Sequence, residues 1–151
     1  MCNALLQPWL EMVCGHRRDV FLGPVEACPL SCVLVVRANG TCILVCRPVV
    51  LVNGTFLTGK YRSTLMMAAA IDPEDQIVPM AFALAEGENN ESWSWFMRLL
   101  HVQVLGPSRA ICLISDHHPG LFNATTEHID GFPSLVHRWC MRHFAANFWR
   151  R

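Results

Sequence analysis

The residues of this sequence that could do chemistry are a few acids, amides, cysteines and histidines. Asp116 ends the apolar run Ala110-Ile111-Cys112-Leu113-Ile114-Ser115. A carboxylate at the end of a buried strand is where open α/β sheets collect functional groups. The same residue can instead cap a helix opened by Pro119, because a carboxylate accepts from the free amides of a first turn. Asn53 stands near the end of a second apolar run and is followed by Gly54, a pair that locally reads as a turn or bulge. Cys140-x-x-His143, with His137 nearby, has the ligand types of a zinc site, but a closed structural site takes four protein ligands. Two or three ligands make an incomplete set, so a packed cysteine with surface histidines is the default. Cys28-x3-Cys32 and Cys42-x3-Cys46 mimic ligand pairs. Residues four apart on a strand share a face, so Cys42 and Cys46 are expected to pack together. His117 and His118, which follow Asp116, are assigned no role.

These positions need a scaffold, and the sequence becomes regular from Cys42. Cys42 to Cys46 and Pro48 to Phe56 are apolar and rich in β-branched residues, as suits a buried strand. Thr58-Gly59-Lys60 makes a turn, Ser63 to Ile71 a second strand, and Asp72-Pro73-Glu74-Asp75 another turn. Ile77 to Ala85 is a third strand. Pro79 has no amide to donate, which predicts that this strand lies at a sheet edge. A helix follows, capped by Asn89 or Asn90, with Glu91 in its first turn. Trp93, Phe96, Met97 and Leu100 recur at helical spacing and form its core face. Gly106-Pro107 stops it. Arg109 to Ser115 is a compact strand. Pro119 opens a helix running to about Ile129 and closed by Asp130-Gly131. Ser134 to Cys140 is a short strand, and Phe144 begins a last helix. Three hairpin-linked strands followed by alternating helices and strands predict a mixed α/β sheet with helical cover. Before Cys32, Pro8, Gly15, Gly23, Pro24 and Pro29 punctuate short apolar pieces, and no element is assigned.

Composition bounds the function. At 151 residues and 52% hydrophobic, the chain can bury one core and has room for one domain. Twelve Lys and Arg balance 12 Asp and Glu, which argues against a self-sufficient nucleic-acid-binding domain with its usual basic excess. A local basic patch is still compatible with that balance. No apolar run reaches the roughly 18 residues that span a bilayer. No charged segment followed by an apolar one opens the chain. The eight cysteines therefore read as thiols rather than a disulfide framework, with Cys112 a reduced, buried one. The Asn-x-Ser/Thr sequons at Asn39, Asn53, Asn90 and Asn123 read as chance.

Several blocks in order resemble one family. The segment from Cys46-Arg47-Pro48-Val49-Val50-Leu51-Val52-Asn53-Gly54 to Lys60-Tyr61 resembles the first-strand signature of Mutator-like element (MULE) transposases. Ile77 to Asn89 resembles their third strand and turn, and Glu91-Ser92-Trp93-Ser94-Trp95-Phe96 the helix that follows. Ile114-Ser115-Asp116 with Gly120-Leu121 is similar to the second acidic motif. His137-Arg138-Trp139-Cys140-Met141-Arg142-His143 with Asn147-Phe148 is similar to the downstream Cys/His block. The blocks cover residues 42 to 151 and leave 1 to 41 as an unassigned, divergent segment.

The resemblance implies an RNase H-like fold, here truncated at its C-terminal end, with a DDE-type site. It also implies DNA strand cleavage and transfer assisted by two Mg²⁺ or Mn²⁺ ions. In that alignment Asn53 stands where the first Asp belongs and Asp116 matches the second. The third carboxylate, a Glu, lies in the family on a helix beyond the Cys/His block, past Arg151; Glu127 is too early and in the wrong helix. A neutral amide removes a charge that hard cations want. The expectation is therefore a core without catalysis and with no tightly bound cofactor, Asp116 remaining as a weak Mg²⁺ or Mn²⁺ ligand. Zinc at Cys140 and His143 is not expected. The resemblance also implies a plant-type nuclear protein whose parent family acts on DNA, with DNA contact weak or absent here and no membrane association. Self-association, or pairing with a transposase-derived partner, is within its range. The second reading is a domesticated DNA-associated or protein-binding regulator, in the manner of the plant far-red-light response factors that look like kin.

Overall fold

The computed structural model describes residues 10–16, 19–22, 32–36, 44–58 and 62–149. In chain order the strands and helices are Leu10–His16 (β1), Asp19–Leu22 (β2), Cys32–Val36 (β3), Val49–Phe56 (β4), Thr64–Ile71 (β5), Ile77–Ala85 (β6), Asn90–Leu99 (α1), Cys112–Ser115 (β7), Pro119–Thr126 (α2), Val136–Trp139 (β8) and Met141–Trp149 (α3). The strands form one sheet in the order β2-β1-β3-β6-β5-β4-β7-β8. Pairs from β2 through β4 are antiparallel, whereas β4, β7 and β8 run parallel. The mixed α/β expectation holds. The two parallel connections each carry a helix, α1 and then α2, as parallel crossovers require.

Alternation along the strands builds the core. Thr64, Met66, Ala68 and Ala70 of β5 are buried together with Val50 and Val52 of β4, Ala83 and Ala85 of β6, and Leu113 and Ser115 of β7. The many alanines keep this face shallow, and the large side chains come from the helix above it: Trp93, Phe96 and Met97. Burying each such side chain contributes roughly 1.5–3 kcal/mol, so α1 is the principal cover of the sheet. Asn89 caps α1, its Oδ1 accepting from Ser92 N at 2.8 Å. The last turn widens into a π-helical segment over Leu100–Leu105, which buries Leu100, His101 and Leu105 together. Gly106 ends it at φ 66°, a left-handed conformation that needs glycine. Helix α2 approaches α1 closely at Gly120, where a Cβ would lie 3.1 Å from Asn90 Oδ1.

Several expectations change. Of the strand expected over Cys42–Cys46, the described part is not extended: Leu44 and Val45 are helical, and β4 starts only at Val49. Pro48 offers no amide there, and the Arg109 guanidinium takes the Cys46 carbonyl at 2.7 Å, satisfying it outside any ladder. Cys42 and Cys28 lie outside the described residues, as does the turn at Gly59 and Lys60. Strand β6 is not a sheet edge, because β3 pairs with it from Cys32↔Leu84 to Val35↔Ala81. Pro79 is tolerated because that pairing stops at Ala81 and the register with β5 shifts between Ala68 and Ala69. Helix α2 ends at Thr126 rather than near Ile129. The hydroxyls of Thr125 and Thr126 donate to the carbonyls of Phe122 and Asn123, competing with the backbone in its last turn. Strands β1 and β2, before Cys32, extend a sheet that the sequence left unassigned there.

Candidate active site

The parallel register of β4 and β7 brings the two singled-out residues together. Val49↔Cys112 through Val52↔Ser115 are paired, so the next residues, Asn53 within β4 and Asp116 just past the end of β7, come side by side. The turn or bulge reading of Asn53-Gly54 fails: both lie within β4 and pair with Met67 and Met66 of β5. Alternation turns Gly54 toward α1 and Asn53 toward the opposite face. Both Asn53 and Asp116 are half-buried.

Asp116 does not cap α2. That place belongs to His118, whose Nδ1 accepts from Gly120 N at 3.2 Å. Asp116 Oδ1 instead accepts from His118 N at 3.1 Å, which fixes the carboxylate in the turn leading to the helix. Ser115 fixes the backbone behind it. Its hydroxyl donates to Asp116 O at 2.9 Å and lies 2.8 Å from His137 Nε2 on β8. The hydroxyl and Nε2 share a hydrogen bond in which the imidazole tautomer sets which of them donates. Burial, reinforced by the charges of Arg138 and His117, holds the His137 imidazole below the usual histidine range.

A third residue reaches this corner that sequence reasoning did not single out. Glu88 precedes the α1 cap, and its carboxyl lies against the bare Cα of Gly54. A Cβ there would overlap Glu88 Oε1 and sit 3.0 Å from Trp93 Cζ2. Glu88 Oε1 and Trp93 Nε1 are both buried without a hydrogen-bond partner. Burial raises the Glu88 pKa above its ordinary value; His118 opposes the rise and Asp116 adds to it. The sequence signal for Glu88 was weak, since Glu86-Gly87-Glu88-Asn89 reads as a polar turn.

The Cys/His block is built differently. Cys140 is a free thiol, and His143 Nδ1 is buried without a partner. His137 is held by Ser115, and among the described residues no three His, Cys, Asp or Glu side chains converge as metal ligands. His117 stacks on Trp139 with ring centroids 4.2 Å apart, and Phe122 stacks on the same indole at 5.5 Å. Cys46, Cys112 and Cys140 form no disulfide, and Cys112 is half-buried rather than enclosed. A cavity of about 140 Å³ lies beyond the end of α2, lined by His101, Thr125, Phe132 and Leu135. None of Asn53, Glu88 or Asp116 lines it, so the chemistry of the strand ends lies elsewhere.

Residues 49–147, about two thirds of the chain, match the model of the MULE transposase domain. The match opens on the first residue of β4 and closes within α3, so it includes Asn53, Glu88, Asp116, Cys140 and His143. No curated protein matches the chain.

Proposed function

The chain belongs to the MULE transposase domain family, and from that premise we propose that it is a transposase-derived core that has lost strand cleavage at Asn53. The observation that carries this reading is the β4–β7 register, which brings a neutral amide of β4 beside Asp116 where β7 ends. An antiparallel β4–β5–β6 meander continued by parallel β7 and β8 supports an RNase H-like topology for residues 42–151. Residues 1–41 are then an added segment whose strands extend that sheet.

A divalent ion, when bound in such a core, activates the attacking oxygen and stabilises the leaving one. The donors here fit one hard cation: they are oxygens, Asp116 is anionic, and Glu88 Oε1 is buried without a hydrogen-bond partner. At Asn53 the amide oxygen brings no charge, so the charge needed to hold a second ion is missing. DNA is the partner this reading assigns, met in the nucleus, with local rather than global basic charge to hold it. Arg138 and Arg142 lie in the last part of the described chain, after its last carboxylate at Asp130.

The test is nicking of supercoiled plasmid in Mn²⁺. Wild type is expected to leave the plasmid as it is without protein. Nicking by wild type that disappears in Asp116→Asn would overturn the proposal.

A further inference from the structure

The π-helical segment Leu100–Leu105 is closed by Gly106 N donating to His101 O at 3.0 Å. Such widened turns are rare and recur at functional sites. Here the segment carries His101, a polar residue only 5% exposed. Burial holds its pKa below the ordinary histidine range, against the opposing effect of a hydrogen bond to the Pro133 backbone. The ring is therefore neutral near neutral pH, with one donor and one acceptor nitrogen. The Pro133 carbonyl takes the donor, and among the described residues no second hydrogen bond reaches the ring. A buried acceptor without a partner destabilises a fold unless something else supplies the interaction.

His101 lines the cavity of about 140 Å³ beyond the end of α2. Phe132 meets its ring edge-on with centroids 5.2 Å apart, and Ile129 and Leu135 extend the apolar wall. His137 is also on the wall, but its Nε2 is engaged with Ser115. His101 is thus the polar anchor of a largely apolar space. A dry apolar cavity of about 150 Å³ takes up one benzene ring, which sets the size of an occupant here. The carboxylate of Glu127 in the same lining disfavours an anion. We propose that this cavity binds an uncharged, single-ring hydrogen-bond donor of the phenol class, its ring against Ile129, Phe132 and Leu135 and its hydroxyl donating to the second ring nitrogen of His101. The site is separate from the strand ends that carry Asn53 and Asp116, neither of which lines it.

The experiment is a titration of the full 151-residue chain with phenol, following the histidine ring C–H resonances by NMR. Benzene, which has the ring without the donor, is titrated beside it. Wild type is expected to show a saturable shift of the His101 resonance with a dissociation constant of about 1 mM or tighter, as a ligand of this size allows. One hydrogen bond between neutral groups is worth about threefold to tenfold, so benzene should bind more weakly than phenol by that factor. His101→Phe should lose the same preference for phenol. Ile129→Trp fills the space from its half-buried side and should abolish binding of both compounds. A cooperative unfolding transition verifies that each variant is folded, and the comparison of phenol with benzene on wild type needs no variant. Absence of saturable binding to wild type, equal affinity for phenol and benzene, or binding to Ile129→Trp as tight as to wild type would each overturn the proposal.

Discussion

The ends of β4 and β7 and the β8–α3 end of the sheet both carry residues of metal-binding type, and they differ in what surrounds them. At the first, Trp93 and Leu113 are 0% exposed, a glycine notch holds Glu88, and a helix cap and a serine hold Asp116. At the second, α3 has no buried residue, Phe148 and Trp149 are 69% and 85% exposed, and the Cys140–His143 pair has no third ligand among the described residues. Ligand types at the right spacing are common to both. What separates them is packing that fixes donor orientation and withholds water, and only the β4–β7 corner has it.

The widest gap between the two regions should appear in stability. Trp93→Ala removes the side chain that spans Gly54, Phe96 and His118, and is expected to cost about 3–5 kcal/mol in urea denaturation. Trp149→Ala should stay within about 0.5 kcal/mol; equal losses would erase the contrast. Next in size is the cap: Asn89→Ala should cost about 1 kcal/mol, because the amide of Ser92 loses its acceptor.

Smaller effects concern charge. Glu88→Gln should unfold at a midpoint no lower than wild type near neutral pH without metal. Burial disfavours the ionised carboxyl there, and a carboxylate kept against that cost is a mark of function. A clear fall in midpoint would mean that Glu88 is structural. The histidines add a pH dependence. Burial lowers the folded-state pKa of His101 and of His137 below 6.5, so on acidification the unfolded chain binds protons first. Stability is therefore full above that value and falls as pH drops through it. Urea midpoints at about pH 7.5 and about pH 5.5 read this directly, and His101→Gln should flatten the slope. A midpoint that rises on acidification would reverse the assignment.

Much of this was legible in the residues. The period of Trp93, Phe96, Met97 and Leu100 located α1 and its buried face, because one helix packs on one sheet and the pattern is local. The limits of β6 were likewise visible. Its neighbour was not, since β3 lies more than 40 residues earlier and strand pairing is decided by tertiary contact. Pro79 pointed to an edge for a sound reason, yet a bulge and an early end of pairing satisfied the same constraint within the sheet. Asn53 and Asp116 were found as residues, while their adjacency waited on the parallel register. Glu88 was hidden in a polar turn, and its role at the corner depends on a missing Cβ far away in sequence.

The central claim is that Asn53 is the lesion in an otherwise assembled cation corner. It is tested most directly by thermal unfolding with and without Mn²⁺, wild type beside Asn53→Asp. A ligand that binds only the folded state raises the midpoint in proportion to the logarithm of its affinity. The variant is predicted to gain clearly more from Mn²⁺ than wild type does, because the added carboxylate on β4 joins Asp116 past the end of β7. Equal shifts in the two proteins, or none in either, would contradict the claim.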